Sequence, residues 1–193
     1  MIHLNGHLLC AVDVETTGLD HKKHDIYEIA IIPLLGNLKP DPKYLPLDIL
    51  IKPDNKEEID WDGMKKTGNT DVVMQALERG TDKFEAADYI VEWFGKLNLP
   101  EMKRMVPLAQ NWAGIDKIFI QEWLGPLTFE QLFHFHYRDT MTAALYLNDR
   151  ADAHNERIPF PKVNLQYLCS QLQIERNGRA HRAIDDAMTT AEV

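Results

Sequence analysis

Apolar residues in the first fifty positions fall in short runs with strand-like alternation, and further along they recur at helical spacing. His7 to Val14, Tyr27 to Leu34 and Leu47 to Lys52 predict three strands. Gly18-Leu19-Asp20 closes the first in a tight turn, and the Pro, Gly and Asp content of Gly36 to Pro46 marks a loop. Asp60 to Thr67 and Asp71 to Gly80 predict short helices, the second with Val72, Val73, Ala76 and Leu77 at helical spacing. Phe84 to Leu97 predicts a stronger amphipathic helix, with Phe84, Ala87, Ile90, Val91 and Phe94 on its apolar side. Arg104 to Gln110 predicts a fourth strand, although Pro107 is an awkward residue inside a sheet. A helix over Asp116 to Leu124, a fifth strand over Phe133 to Arg138 and a helix from Thr140 to about Leu147 follow. Asp149 to Pro161 reads as a polar loop. Asn164 is placed to cap a helix through Leu172, and a last helix runs from about Ala183 to the end of the sequence at Val193. Strands separated by helices in this way predict an α/β fold.

With 193 residues, 45% of them hydrophobic, the chain can bury the core of one such domain over 1–193. No low-complexity tract or repeat divides it. Its apolar stretches are too short to span a bilayer, and the N-terminus lacks a signal-peptide pattern, so no membrane partner is expected. Cys10 and Cys169 lie in apolar surroundings without metal-ligand spacing, which suits reduced core residues and a cytoplasmic protein. The net charge of −9 argues against coating nucleic acid by bulk electrostatics, but leaves room for an enzyme that grips a strand end locally. Lys22, Lys23, Arg176, Arg179 and Arg182 are basic groups near the motifs described next, read equally well as solvated surface charge.

The apolar run Leu8 to Val14 carries Asp13 and Glu15 one residue apart. On a strand they point to one face while Val12 and Val14 point to the other. Two such carboxylates repel and are costly to desolvate unless a cation sits between them, which points to divalent metal. Asn111-Trp112-Ala113-Gly114-Ile115-Asp116 adds a central acid after another apolar run. His181-Arg182-Ala183-Ile184-Asp185-Asp186 adds an imidazole and two more acids. Helical arithmetic puts Asp185 on the face of His181, if His181 lies within the helix; a histidine on the preceding loop removes that argument.

Asp-x-Glu-Thr-Thr-Gly-Leu, the central Asp and His-x-x-x-x-Asp, in that order, resemble the DEDDh exonucleases of the DnaQ-like and RNase T-like group. The resemblance runs from about Leu8 to the C-terminus. It implies a ribonuclease H-like fold: a central five-stranded mixed sheet with helices on both faces. It also implies a 3′→5′ exonuclease with two divalent ions, Mg²⁺ or Mn²⁺ in its place, held by Asp13, Glu15, Asp116 and Asp186, with His181 as general base. The implied reaction is hydrolysis of single-stranded nucleic acid from its 3′ end, DNA favoured, releasing nucleoside 5′-monophosphates. The family pattern selects Asp186 over Asp185. Neighbouring carboxylates would raise the pKa of the imidazole while burial and metals would lower it, and activity is expected to rise through a group titrating at or above neutrality.

In the family, the segment matching Thr16, Thr17, Gly18 and Leu19 holds the terminal nucleotide, with backbone near Thr17 at the 3′-hydroxyl, Gly18 allowing close approach and Leu19 wedged against a base. The same four residues also read as ordinary turn chemistry. Asn111 keeps the family offset to Asp116. Trp112, where many members have Ala, reads either as a base-stacking platform or as core. Members usually continue beyond the point matching Val193. Two rival readings are an RNA-trimming or short-oligonucleotide nuclease and a catalytically idle interaction module. A polymerase partner or a homodimer is left open.

Overall fold

The computed structural model describes residues 4–176 and 178–193. Strands β1 (Leu8–Thr16), β2 (Ile26–Pro33) and β3 (Leu47–Leu50) come first, followed by helices α1 (Trp61–Thr67), α2 (Thr70–Arg79) and α3 (Lys83–Lys96). Then come β4 (Met105–Ala109), α4 (Asp116–Leu124), α5 (Pro126–Leu132), β5 (Arg138–Asp139), α6 (Thr140–Ala153), α7 (Leu165–Leu172) and α8 (Ala183–Glu192). The five strands form one mixed sheet in the order β3-β2-β1-β4-β5. β1 pairs antiparallel with β2 and parallel with β4.

β1 is thus central, and the two sides of its alternation serve two cores. Cys10, Val12 and Val14 pack with Ile90 and Trp93 of α3 and with Phe119 and Ile120 of α4. Leu9 and Ala11 pack on the other side, with Ala30, Ile32, Val106 and Leu108, beneath α8. Helix α8 meets that face through Ala183, Ala187 and Ala191, one helical stripe of small side chains that lets its backbone approach the sheet closely. Asp13 and Glu15 share the phase of Leu9 and Ala11, so they lie at the α8 end of the arrangement.

Several elements differ from the sequence expectation. The apolar face of α3 is Ala86, Ile90 and Trp93, continued by Leu97, whereas Phe84 is 70% and Val91 43% exposed. Trp93 decides the rotation: its large ring is buried and its indole N–H donates to the Leu45 carbonyl at 3.0 Å. The 125–139 region yields helix α5 and a two-residue β5 in place of the strand expected at 133–138. Gly125, at φ 75°, ends α4, and Pro126 starts α5 at a position where its missing N–H breaks no helical bond. Helix α6 runs to Ala153, beyond the expected end near Leu147. Pro107 is accommodated within β4, whose ladder to β5 is confined to Leu108 and Ala109. Among the described residues no helix is long and apolar enough to cross a membrane.

Candidate active site

Asp13 and Glu15 sit at the C-terminal end of β1. The antiparallel register sets Glu15 opposite Glu28 of β2, so a third carboxylate faces the same space. Asp116 arrives from α4. Asn111 adopts φ 64° and its carbonyl accepts from Gly114 and Ile115, a tight reversal that starts the helix with Asp116 in its first turn. There its Oδ1 accepts from the Val14 amide at 3.1 Å, which ties α4 to β1 between the two strand acids. Asp116 is 2% exposed, and its Oδ2 has no partner among the described residues.

His181 lies ahead of α8, with φ 60°, and is not part of the helix. The helical-face argument for Asp185 therefore does not apply. Asp185 turns away, accepting from the Arg179 amide at 2.8 Å and filling the space above Gly178. Asp186 is buried beside the alanine stripe, accepts from the His181 amide at 3.3 Å and pairs with Arg176. Ligand atoms of Glu15, His181 and Asp186 lie within 4.8 Å of one another.

The electrostatics follow from burying acids together. Burial, then Asp116, Glu15 and Glu28, push the Asp13 carboxyl well above the usual carboxylate range. Burial and Glu28 raise Glu15 to about 8, and burial raises Asp116 to about 7. Arg176 opposes these shifts at Asp13 and Glu15. The cluster thus repels itself at neutral pH and is short of positive charge. A divalent cation fits it on three grounds: the orphaned Asp116 oxygen, the clustered ligand atoms and a donor set dominated by carboxylate oxygen. Burial and Arg176 lower the His181 imidazole below its ordinary value of 6.5, which corrects the expectation of titration at or above neutrality.

Around the acids, Leu19 stands 81% exposed beside the end of β1, free to meet a ligand. Thr16 and Thr17 are engaged in the turn itself. The Thr16 hydroxyl donates to the Gly18 carbonyl at 2.8 Å. The Thr17 hydroxyl accepts from the Asp25 amide at 3.0 Å, and its N–H and C=O are bonded to Asp25 and Asp60. The open side of Gly18 faces the His24 ring, where a Cβ would come within 2.5 Å of its atoms, so the glycine serves internal packing. Asn111 lies against Gly114 within the reversal. Trp112 corrects the stacking expectation: it is 1% exposed and packs with Phe129 and Phe133, leaving no face for a base. The flanking cations are also taken. Lys22 pairs with Glu122, Arg179 with Asp71, and Arg182 with Glu28.

Three residues of the site escaped the sequence reading: Tyr27, Glu28 and Asn69; Arg176, read there only as a basic group near the last motif, pairs with Asp186. Glu28 carried a signal, as the one charge in an otherwise apolar strand; it is fully buried and gripped by Arg182 and the Ala183 amide. Asn69 carried only a misleading one, because Asn before a helix reads as a cap.

The sequence model of the RNase T exonuclease family matches residues 10–193. No curated protein matches the sequence. Escherichia coli exonuclease I in complex with a dT13 oligonucleotide is similar in structure, with TM-score 0.67 and 20% identity over 96% of this chain and 40% of that one. Cell-death related nuclease 4 gives TM-score 0.68 and 17% identity over 96% of this chain and 61% of that one. The nuclease domain of 3′hExo, a DEDDh family member bound to rAMP, gives 0.63 and 15% over 96% and 88%. The chain therefore spans about 40% of the length of exonuclease I.

Proposed function

Because the chain belongs to the RNase T exonuclease family, we propose that it is a 3′→5′ exonuclease of the DEDDh type and removes nucleotides from the 3′ end of single-stranded nucleic acid, DNA favoured, as nucleoside 5′-monophosphates. The observation that carries the reading is the convergence of Asp13, Glu15, Asp116 and Asp186 with His181 at one end of β1. We take 1–193 as a single exonuclease domain.

Asp13, Glu15, Asp116 and Asp186 would hold divalent ions, Mg²⁺ or Mn²⁺. Such ions supply positive charge against the phosphate oxygens and make water easier to deprotonate. The chain's own groups do the rest. His181, on the loop ahead of α8, takes a proton from the attacking water at an imidazole nitrogen, and its lowered pKa favours the unprotonated form at neutral pH. The water oxygen bonds to phosphorus as the bond to the 3′-oxygen of the penultimate nucleotide breaks. The departing oxygen takes a proton from solvent water, leaving a 3′-hydroxyl on the strand and a 5′-phosphate on the released nucleotide. Leu19 packs against the terminal base, while the bonded Thr16–Gly18 turn fixes where it stands.

RNA trimming is the second reading. It is favoured by the histone mRNA stem-loop bound by a 3′-exonuclease and the rAMP bound by 3′hExo, both similar in fold to this chain. The test is digestion of 5′-labelled DNA and RNA oligonucleotides. A ladder shortening by single nucleotides, with 5′-monophosphates released, is expected, faster on DNA. Internal cuts or 3′-phosphate products would overturn the reading, and a faster RNA ladder would replace DNA by RNA.

A further inference from the structure

Asn69 stands at the N-cap of α2, where an asparagine ordinarily bends its side chain back to accept from the first-turn amides. Here it makes no such bond. The residue is fully buried, and its amide nitrogen instead donates to the Tyr27 hydroxyl and to the His181 carbonyl, both at 2.6 Å. Tyr27 in turn donates to Glu15 Oε2 at 3.3 Å, an oxygen that also lies 3.5 Å from the Asn69 nitrogen. The two N–H donors thus face three acceptors, of which Glu15 Oε2 is the most distant. The orientation of the amide is fixed by chemistry, since only its nitrogen can face a carbonyl oxygen.

The backbone around these groups is arranged for the contact. The β1–β2 register slips between Glu15/Glu28 and Thr16/Ile26, leaving Tyr27 as the extra residue of a bulge, a device that re-aims a side chain. Gly68, at φ 78°, ends α1 and turns the chain into Asn69. His181 itself holds φ 60°, a conformation that needs outside support in a residue with a Cβ. Its N–H is bound by Asp186 and its C=O by Asn69, while Arg182 is locked to Glu28. The arrangement spans two parts of the chain 112 residues apart, Asn69 and His181.

We propose that Asn69 is a positioning residue: one buried amide fixes the Glu15–Tyr27 pair and the His181 main chain relative to each other. The proposal deepens the nuclease reading and rests on it for its effect on turnover, while its structural half stands without it.

The experiment compares wild type with Asn69→Ala, Asn69→Asp and Tyr27→Phe. In metal-free protein, hydrogen exchange is measured over residues 180–184, with circular dichroism as a check on folding. With Mg²⁺ and a single-stranded oligonucleotide, kcat and KM are measured separately. Asp caps a helix as well as Asn does, so a capping role predicts a neutral Asn69→Asp. Positioning predicts that Asn69→Asp and Asn69→Ala both quicken exchange over 180–184. It also predicts a fall in kcat of about 10–100-fold, the range for residues that orient ligating groups, with KM nearly unchanged. Tyr27→Phe, which removes the hydroxyl between Asn69 and Glu15 but leaves the Asn69–His181 bond in place, lowers kcat without changing that exchange. Unaltered exchange in folded Asn69→Asp and Asn69→Ala overturns the proposal, as does wild-type kcat in Asn69→Asp. A wild type that hydrolyses nothing defeats the nuclease reading instead, and the exchange result still decides the role of Asn69.

Discussion

Replacing Glu15 by Gln should stabilise the metal-free protein, by an amount that grows with pH. Glu15 has its pKa raised from 4.5 to about 8, so the folded state holds this proton more tightly than the unfolded chain. The penalty for ionising it is absent below pH 4.5, grows above that, and is nearly complete at pH 8. Linkage puts it at about 4 kcal/mol at pH 8 and about 1 kcal/mol at pH 5. Gln keeps an oxygen for the Tyr27 hydroxyl but carries no charge, so Glu15→Gln recovers up to that amount. For a chain of this size the gain at pH 8 corresponds to a rise in Tm of roughly 10 °C. The assay is urea unfolding in chelator at pH 5, 6.5 and 8 for both proteins. Excess Mg²⁺ at pH 8 should then narrow the gap, because a ligand at about a hundred times its Kd stabilises wild type by about 2.7 kcal/mol and binds the variant less. A stability difference that does not change with pH would refute the reasoning.

Of the two adjacent acids on α8, Asp186→Asn should abolish turnover and weaken Mn²⁺ binding, whereas Asp185→Asn should leave both close to wild type; the opposite order would move the ligand to Asp185. His181→Ala should cut turnover by about a hundredfold or more while substrate still binds, and His181→Gln should be nearly as poor. At saturating Mg²⁺, wild-type turnover should rise with pH through a group below 6.5, in keeping with the lowered His181 pKa, and level off above it. A His181→Gln enzyme with wild-type turnover at pH 7 would remove His181 from the chemistry.

The strand acids were legible because period-two alternation needs no tertiary knowledge: Asp13 and Glu15 share a face in any strand. Asp116 was legible by its place at the start of a helix after an apolar run. The choice of Asp186 over Asp185, which the family spacing makes, has a second signal in the sequence. Ala183, Ala187 and Ala191 form the sheet-facing stripe of α8. Asp186, three residues after Ala183, falls at the buried edge of that stripe, while Asp185 does not.

What stayed hidden depends on long-range geometry. Trp112 could not be assigned because its ring is enclosed by Phe129 and Phe133, from a helix the spacing did not reveal. The register that sets Glu28 opposite Glu15, and the bulge that turns Tyr27 toward it, are properties of strand pairing. Asn69 reaches the site from a position whose local sequence only marks the start of a helix.

The proposal that unites the site is that the carboxylates at the end of β1 hold divalent metal for phosphodiester hydrolysis. Its most direct test is hydrolysis of a 5′-labelled single-stranded oligonucleotide by wild type and Asp13→Asn, over a Mg²⁺ titration and in chelator. Wild type should be silent in chelator and active as Mg²⁺ saturates. Asp13→Asn should remain folded yet inactive throughout, since a neutral amide of the same shape no longer offsets the cations. Near-normal turnover by Asp13→Asn at saturating Mg²⁺, or full wild-type activity in chelator, would contradict the claim.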